Sequence, residues 1–174
     1  MDPWTRKGGL SKEAPAGYCI GRNMKILVLP EILIVEEGPH EETTWLEGIL
    51  SSKIRCHVTV RRSVANALSH LEDTRVPSPA LIVLHHEGPK PNDLEILFHL
   101  RHNERTRLVP VVVLLGPNGE QDLTECYRFG ANSCVISSPR RKGFIDRLSG
   151  IVRYWLTVDR SWDHGPRALT HCVP

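Results

Sequence analysis

The chain has 174 residues, a formal net charge of +2, and 40% hydrophobic against 24% charged residues. That length supports one core of ordinary size, and the composition excludes a disordered or fibrous chain. Lys and Arg number five against two acids over residues 1–30 but fifteen against sixteen over 31–158; the basicity lies at the N-terminus, and no nucleic-acid partner is expected.

Residues 1–30 read as a flexible extension, 31–158 as the folded domain and 159–174 as a tail. Within 31–158, short β-branched runs alternate with segments whose apolar residues recur at three and four, the pattern of repeated βα units around a parallel sheet. The first strand is Ile32–Val35, with a further apolar run at Ile26–Leu29 that could add a strand. A helix after Pro39 places Trp45, Leu46, Ile49 and Leu50 on one face. A second strand near Cys56–Val60 precedes a helix that buries Val64, Ala67, Leu68 and Leu71. The third strand, Ala80–Leu84, is followed by a helix from Asn92 to His102 with Leu94, Leu97 and Phe98 inward.

The run "LVPVVVLL" at 108–115 is apolar throughout, as a central strand covered on both faces should be. A helix over Gln121–Phe129, a short strand near Cys134–Ile136 and a last helix over Lys142–Val158 complete the alternation. In that last helix Phe144, Leu148, Ile151, Val152 and Trp155 form the inward stripe. Tyr154, Leu156 and Val158 fall off it and, with Phe129, form a candidate partner or dimer surface.

Five cysteines, Cys19, Cys56, Cys126, Cys134 and Cys172, are scattered and never form a C-x-x-C pair. They argue against a disulfide framework or zinc ribbon and for a reducing cytoplasm, as small core residues without activating neighbours. No apolar run reaches the roughly 18 residues of a membrane span, so no membrane partner is expected.

Chemistry in such a sheet belongs at the C-terminal strand ends. There "LIVLHHEGP" at 81–89 ends in His85, His86 and Glu87, and "ILIVEEGPHE" at 32–41 ends in Glu36 and Glu37. Imidazole and carboxylate are suitable transition-metal ligands, but adjacent strand residues point to opposite faces, which sets His85 and His86 apart. The leading expectation is therefore an ion pair or hydrogen bond between His85 and Glu36 or Glu37. His99 and His102 stand three apart on a predicted helix, among Arg101, Arg105 and Arg107, which read as a solvated basic surface. The first loop, "EEGPHEE", is acidic and lacks a phosphate-cradling glycine pattern, against a bound nucleotide or flavin.

"ILIVEEGPHE", "VPVVVLL" and "YRFGANSCVIS" resemble, in order and spacing, the motifs of response-regulator receiver domains. "YWLTV" at 154–158 is similar to the C-terminal helix of the single-domain response regulators that partner bacterial phytochromes. The resemblance covers about residues 30–158. It implies the α/β, (βα)5 doubly wound, flavodoxin-like or CheY-like fold, with strand order 2-1-3-4-5. Active receivers carry an aspartate on the third strand, an acidic pair that holds Mg²⁺, a Thr or Ser ending the fourth strand, and a Lys-Pro after the fifth. At those places the resemblance puts His85, Glu36 with Glu37, Leu115, and Ser137 with Ser138; Glu87 lies beside them, and Cys134 stands where an aromatic residue is frequent.

Loss of the carboxylate nucleophile, the hydroxyl and the cation implies a pseudo-receiver. It would be no enzyme and would need no cofactor. It would act in bacterial two-component signalling by phosphorylation-independent binding to a sensor kinase or other signalling protein, as a homodimer. The alternatives are phosphorylation on a residue such as His85 or Glu36, and a metal- or small-ligand-binding protein of flavodoxin-like architecture.

Overall fold

The leucine-rich and β-branched runs form five parallel strands, and the segments between them form helices, in a computed structural model that describes residues 29–36, 42–86 and 94–158. In chain order the elements are β1 (Glu31–Glu36), α1 (Glu42–Ser51), β2 (His57–Arg61), α2 (Val64–Glu72), β3 (Leu81–His86), α3 (Glu95–His102), β4 (Val111–Leu115), α4 (Leu123–Arg128), β5 (Ser133–Ile136) and α5 (Arg141–Arg153). A 3-10 turn, Gly119–Asp122, leads into α4, and a π turn, Tyr154–Val158, extends α5. The sheet order is β2-β1-β3-β4-β5, so the doubly wound topology is the one expected from the sequence.

Strand alternation divides the core in two. Ile32, Ile34, Leu81, Val83, Val112 and Leu114 face α1 and α5, where they meet Trp45, Ile49, Phe144 and Leu148. Leu33, Val35, Ile82, Leu84, Val113 and Leu115 face α2, α3 and α4, against Leu71, Leu97, Leu100 and Cys126. β3 and β4 are buried at every position, because helices cover both their faces. β3 runs two residues beyond the predicted Leu84, so His85 and His86 belong to the strand itself.

Several side chains depart from the sequence reading. Leu46 and Leu50 are exposed at 39% and 74%; α1 instead turns Trp45, Gly48 and Ile49 inward, a narrower stripe than the one expected. Phe98 is exposed, with its ring 3.8 Å from that of His102, and α3 buries Ile96, Leu97 and Leu100. Leu156, expected at a partner surface, is buried with Trp155 in the α1/α5 cluster. It lies four residues after Val152 and continues the same stripe.

Arg101 and Arg105 do not form a solvated basic patch either. Arg101 donates to the carbonyls of Val109 at 2.9 Å and Gly130 at 2.8 Å and to Asn132 Oδ1 at 2.6 Å. Arg105 donates to the carbonyls of Leu71 at 2.7 Å and Val76 at 2.6 Å, capping the exit from α2. Each guanidinium satisfies carbonyls that helix and strand ends leave without partners. The run Ile26–Leu29 lies outside the described residues up to residue 28, and Leu29 is not in a strand.

α1 and α5 come close at Gly48, where an added Cβ would stand 2.6 Å from Leu148 Cδ2; at Gly150, on the exposed side of α5, nothing lies within 4 Å. Both glycines are helical, so alanine brings each the same gain of about 0.5–1 kcal/mol in backbone propensity. Urea denaturation should therefore show Gly150→Ala stabilised and Gly48→Ala lower than it by about 1–3 kcal/mol, the cost of overpacking. Equal shifts for the two variants would contradict the close α1/α5 contact.

Candidate functional site

The site lies at the C-terminal ends of β1 and β3. Glu36 closes β1 and is the register partner of His85 in β3. Two-residue alternation carries Ile34 to Glu36 and Val83 to His85, so both side chains point to the α1/α5 face. His85 Nδ1 lies 2.8 Å from Glu36 Oε2, and the two side chains are 1% and 0% exposed. An imidazole–carboxylate pair is thus sealed inside the core, where a carboxylate without a partner would be strongly destabilising.

Aromatic rings enclose this pair. Trp45 of α1 stands edge-on to His85 with centroids 5.7 Å apart, and Phe144 of α5 does the same at 6.1 Å. Trp45 and Phe144 meet each other edge-to-face at 5.0 Å, a favoured geometry for aromatic pairs. Above them Arg141, at the start of α5, donates to Thr44 Oγ1 at 2.5 Å and to Glu47 Oε1 at 2.7 Å on α1. Nothing in the sequence marks the two rings or this cation as parts of the site. The sequence marks Trp45 and Phe144 only as inward-facing, and their meeting at His85 depends on how α1 docks against α5.

His86 points to the other face, with Nε2 3.7 Å from Asp122 Oδ2. Beside it is a cavity of about 20 Å³ lined by Val35, Val64, Leu84, Leu94 and Val113 among others, room for about one water and no more. Leu115 is fully buried on that same face, away from Glu36 and His85. Ser137 is buried, and its amide donates to the Leu115 carbonyl at 2.6 Å. Glu37 and Glu87 lie outside the described residues. On α3, the His102 ring donates from Nδ1 to the Phe98 carbonyl at 2.8 Å. Among the described residues, no group of three His, Cys, Asp or Glu is placed to hold a metal ion.

No family model matches the chain. It is 27% identical over 129 residues to the response regulator Rcp1 of Synechocystis sp., covering 72% of this chain and 88% of Rcp1. The solved Mn²⁺-bound form of Rcp1 superposes with a TM-score of 0.64, over 74% of this chain and 95% of that one. The chain is a response-regulator receiver related to those of phytochromes. The bacteriophytochrome response regulator RtBRR is 31% identical to this receiver, with a TM-score of 0.51 over 68% of this chain and 75% of its own. This receiver shares the fold of those proteins.

The pair gives a stability test. Glu36→Leu leaves His85 buried without its carboxylate and should cost about 3–5 kcal/mol in urea denaturation, whereas Glu36→Leu combined with His85→Leu should recover most of that loss. A single variant within about 0.5 kcal/mol of the parent, the range of ordinary surface changes, would show that the pair does not hold β1 to β3.

Proposed function

We propose that this receiver is a protein-interaction module that has lost aspartyl phosphorylation, with residues 31–158 as the working domain. The observation that carries this reading is the state of the third-strand end. In place of a solvent-facing acceptor stands His85, 1% exposed at its side chain and held at 2.8 Å on Glu36. Phosphoryl transfer requires a nucleophile open to in-line attack and preorganised charge on the transferred oxygens. Leu115 offers no hydroxyl, and Ser137 offers no cation.

The donor set of the described residues also fits Mg²⁺ poorly. That ion takes near-octahedral oxygen ligands and keeps several waters, whereas Glu36 is fully buried and engaged by an imidazole. Rcp1 has a Mn²⁺-bound form; in this receiver a cation would have to displace His85 from the carboxylate.

In this reading the module acts in two-component signalling in the cytoplasm, bound to a sensor kinase or another signalling protein. Phe129 and Tyr154, 38% and 50% exposed, serve as the partner or homodimer surface. Val158 extends the same end of α5, and Leu156 acts from beneath as core. Exposed Tyr127 on α4 enlarges the apolar area available to a partner.

Incubation with Mg²⁺ and acetyl phosphate, read by intact mass without acid, should leave the parent unmodified. A phosphoryl increment on His85 would overturn the reading in favour of phosphoramidate signalling. For the surface, sedimentation should show a dimer that Phe129→Glu with Tyr154→Glu converts to monomer; a parent that already sediments as a monomer would remove the homodimer from the proposal.

A further inference from the structure

On the sheet face opposite His85, α4 and β5 bring two thiols together. Cys126 of α4 is fully buried and Cys134 of β5 half-buried; both are free thiols, and both pack in the α2–α4 core cluster. Their meeting follows from a tight reversal. Two residues past the end of α4 stands Gly130, whose φ of +100° is open to glycine and strained for other residues. The Ala131 amide then donates to the Cys126 carbonyl at 3.0 Å. The chain turns back at once, and β5 lays Cys134 against the helix it has just left.

Both thiols pack in the same cluster across the α4–β5 seam, close enough for Cys126 and Tyr127 to act on the Cys134 sulfur. The Tyr127 oxygen in turn accepts from the Cys134 amide at 3.3 Å, which fixes the phenol beside the sulfur. The contact with Cys126, joined by that with Tyr127, pulls the Cys134 thiol below its ordinary range. The same contact, together with burial, pushes Cys126 up. Burial separates the two as well: Cys134 is the half-buried, accessible sulfur and Cys126 the fully buried one behind it, the arrangement of an attacking and a resolving thiol. Among the described residues Cys56 has no such thiol partner, and burial pushes its thiol up.

We propose that Cys134 and Cys126 form a hydroperoxide-oxidisable dithiol whose disulfide staples α4 to β5. The Cys134 thiolate attacks one oxygen of the hydroperoxide and the O–O bond breaks. The alcohol, or water from hydrogen peroxide, leaves after taking a proton, and Cys134 becomes a sulfenic acid. Cys126 then loses its proton and attacks that sulfur; the S–O bond breaks and the oxygen departs as water. Two thiols and one hydroperoxide give one disulfide, one alcohol and one water, with two electrons passing from sulfur to oxygen. Exposed Tyr127 and Phe129 flank the pair, so the staple would fix the surface they present. The chemistry stands whether or not the His85 site accepts a phosphoryl group.

The full-length protein, reduced and desalted, is treated with a small excess of hydrogen peroxide, blocked with N-ethylmaleimide and analysed by intact mass and peptide mapping. The expected product has lost two hydrogens and two alkylatable thiols, and carries a Cys126–Cys134 cross-link. Cys126→Ala should instead collect a dimedone-trappable sulfenic acid on Cys134, and Cys134→Ala should give neither product. On the untreated parent at neutral pH, iodoacetamide should modify Cys134 about tenfold or more faster than Cys56, through the larger thiolate fraction. This last readout does not depend on any variant folding. An unchanged thiol count, a cross-link between other cysteines, or equal alkylation of Cys134 and Cys56 would overturn the proposal.

Discussion

A carboxylate sealed in an apolar core must have a partner, and Glu36 has His85. Their contact at 2.8 Å joins the C-terminal ends of the neighbouring strands β1 and β3, at the edge of the sheet where a receiver fold keeps its chemistry. Trp45 and Phe144 pack T-shaped against the imidazole, and both rings are inward side chains of α1 and α5. Arg141 closes the same seam by bonding α5 to Thr44 and Glu47. Strand pairing, helix docking and the chemistry of the site thus converge on one packed arrangement.

That arrangement bears on regulation. A switch needs two conformations that a ligand or modification binds with different strength. In the proposed reading, the filled and paired interior at the strand end offers a phosphoryl group neither an open acceptor nor a place for its charge. The other face differs. There His86 and Asp122 are 3.7 Å apart, a small cavity remains, and the α4–β5 thiols lie in contact beside Tyr127. In this account covalent control has moved from the strand end to the seam between β5 and α4, the helix that carries exposed Tyr127 and ends at Phe129.

Much of the fold was legible because parallel strands buried on both faces leave a strong mark. "VPVVVLL" could hardly be anything but central, and the alternation of five such runs with helical segments fixes a doubly wound sheet. The placement of His85 and His86 on opposite faces also followed from strand geometry. What the sequence could not show depends on docking between distant elements. Arg101 and Arg105 read as surface charges until the carbonyls of Gly130, Val109, Leu71 and Val76 are seen around them. Leu46 and Leu50 share a helical face with Trp45 on paper, but the close approach at Gly48 rotates that face to solvent. Leu156 reads as surface from the sequence, whereas the inward stripe continues one residue past Trp155. The thiol contact was hidden because it needs the reversal at Gly130 to bring α4 and β5 together.

The central claim is that the His85–Glu36 pair closes the phosphorylation site. It is tested most directly by amide NMR of the protein titrated with Mg²⁺ and beryllium fluoride, a phosphoryl mimic that reports binding without covalent transfer. The account predicts no shifts at the ends of β1, β3 and β4, and an imidazole resonance of His85 that stays in place. Saturable shifts centred on Glu36, His85 and Leu115 would show an open, charge-binding site and contradict it.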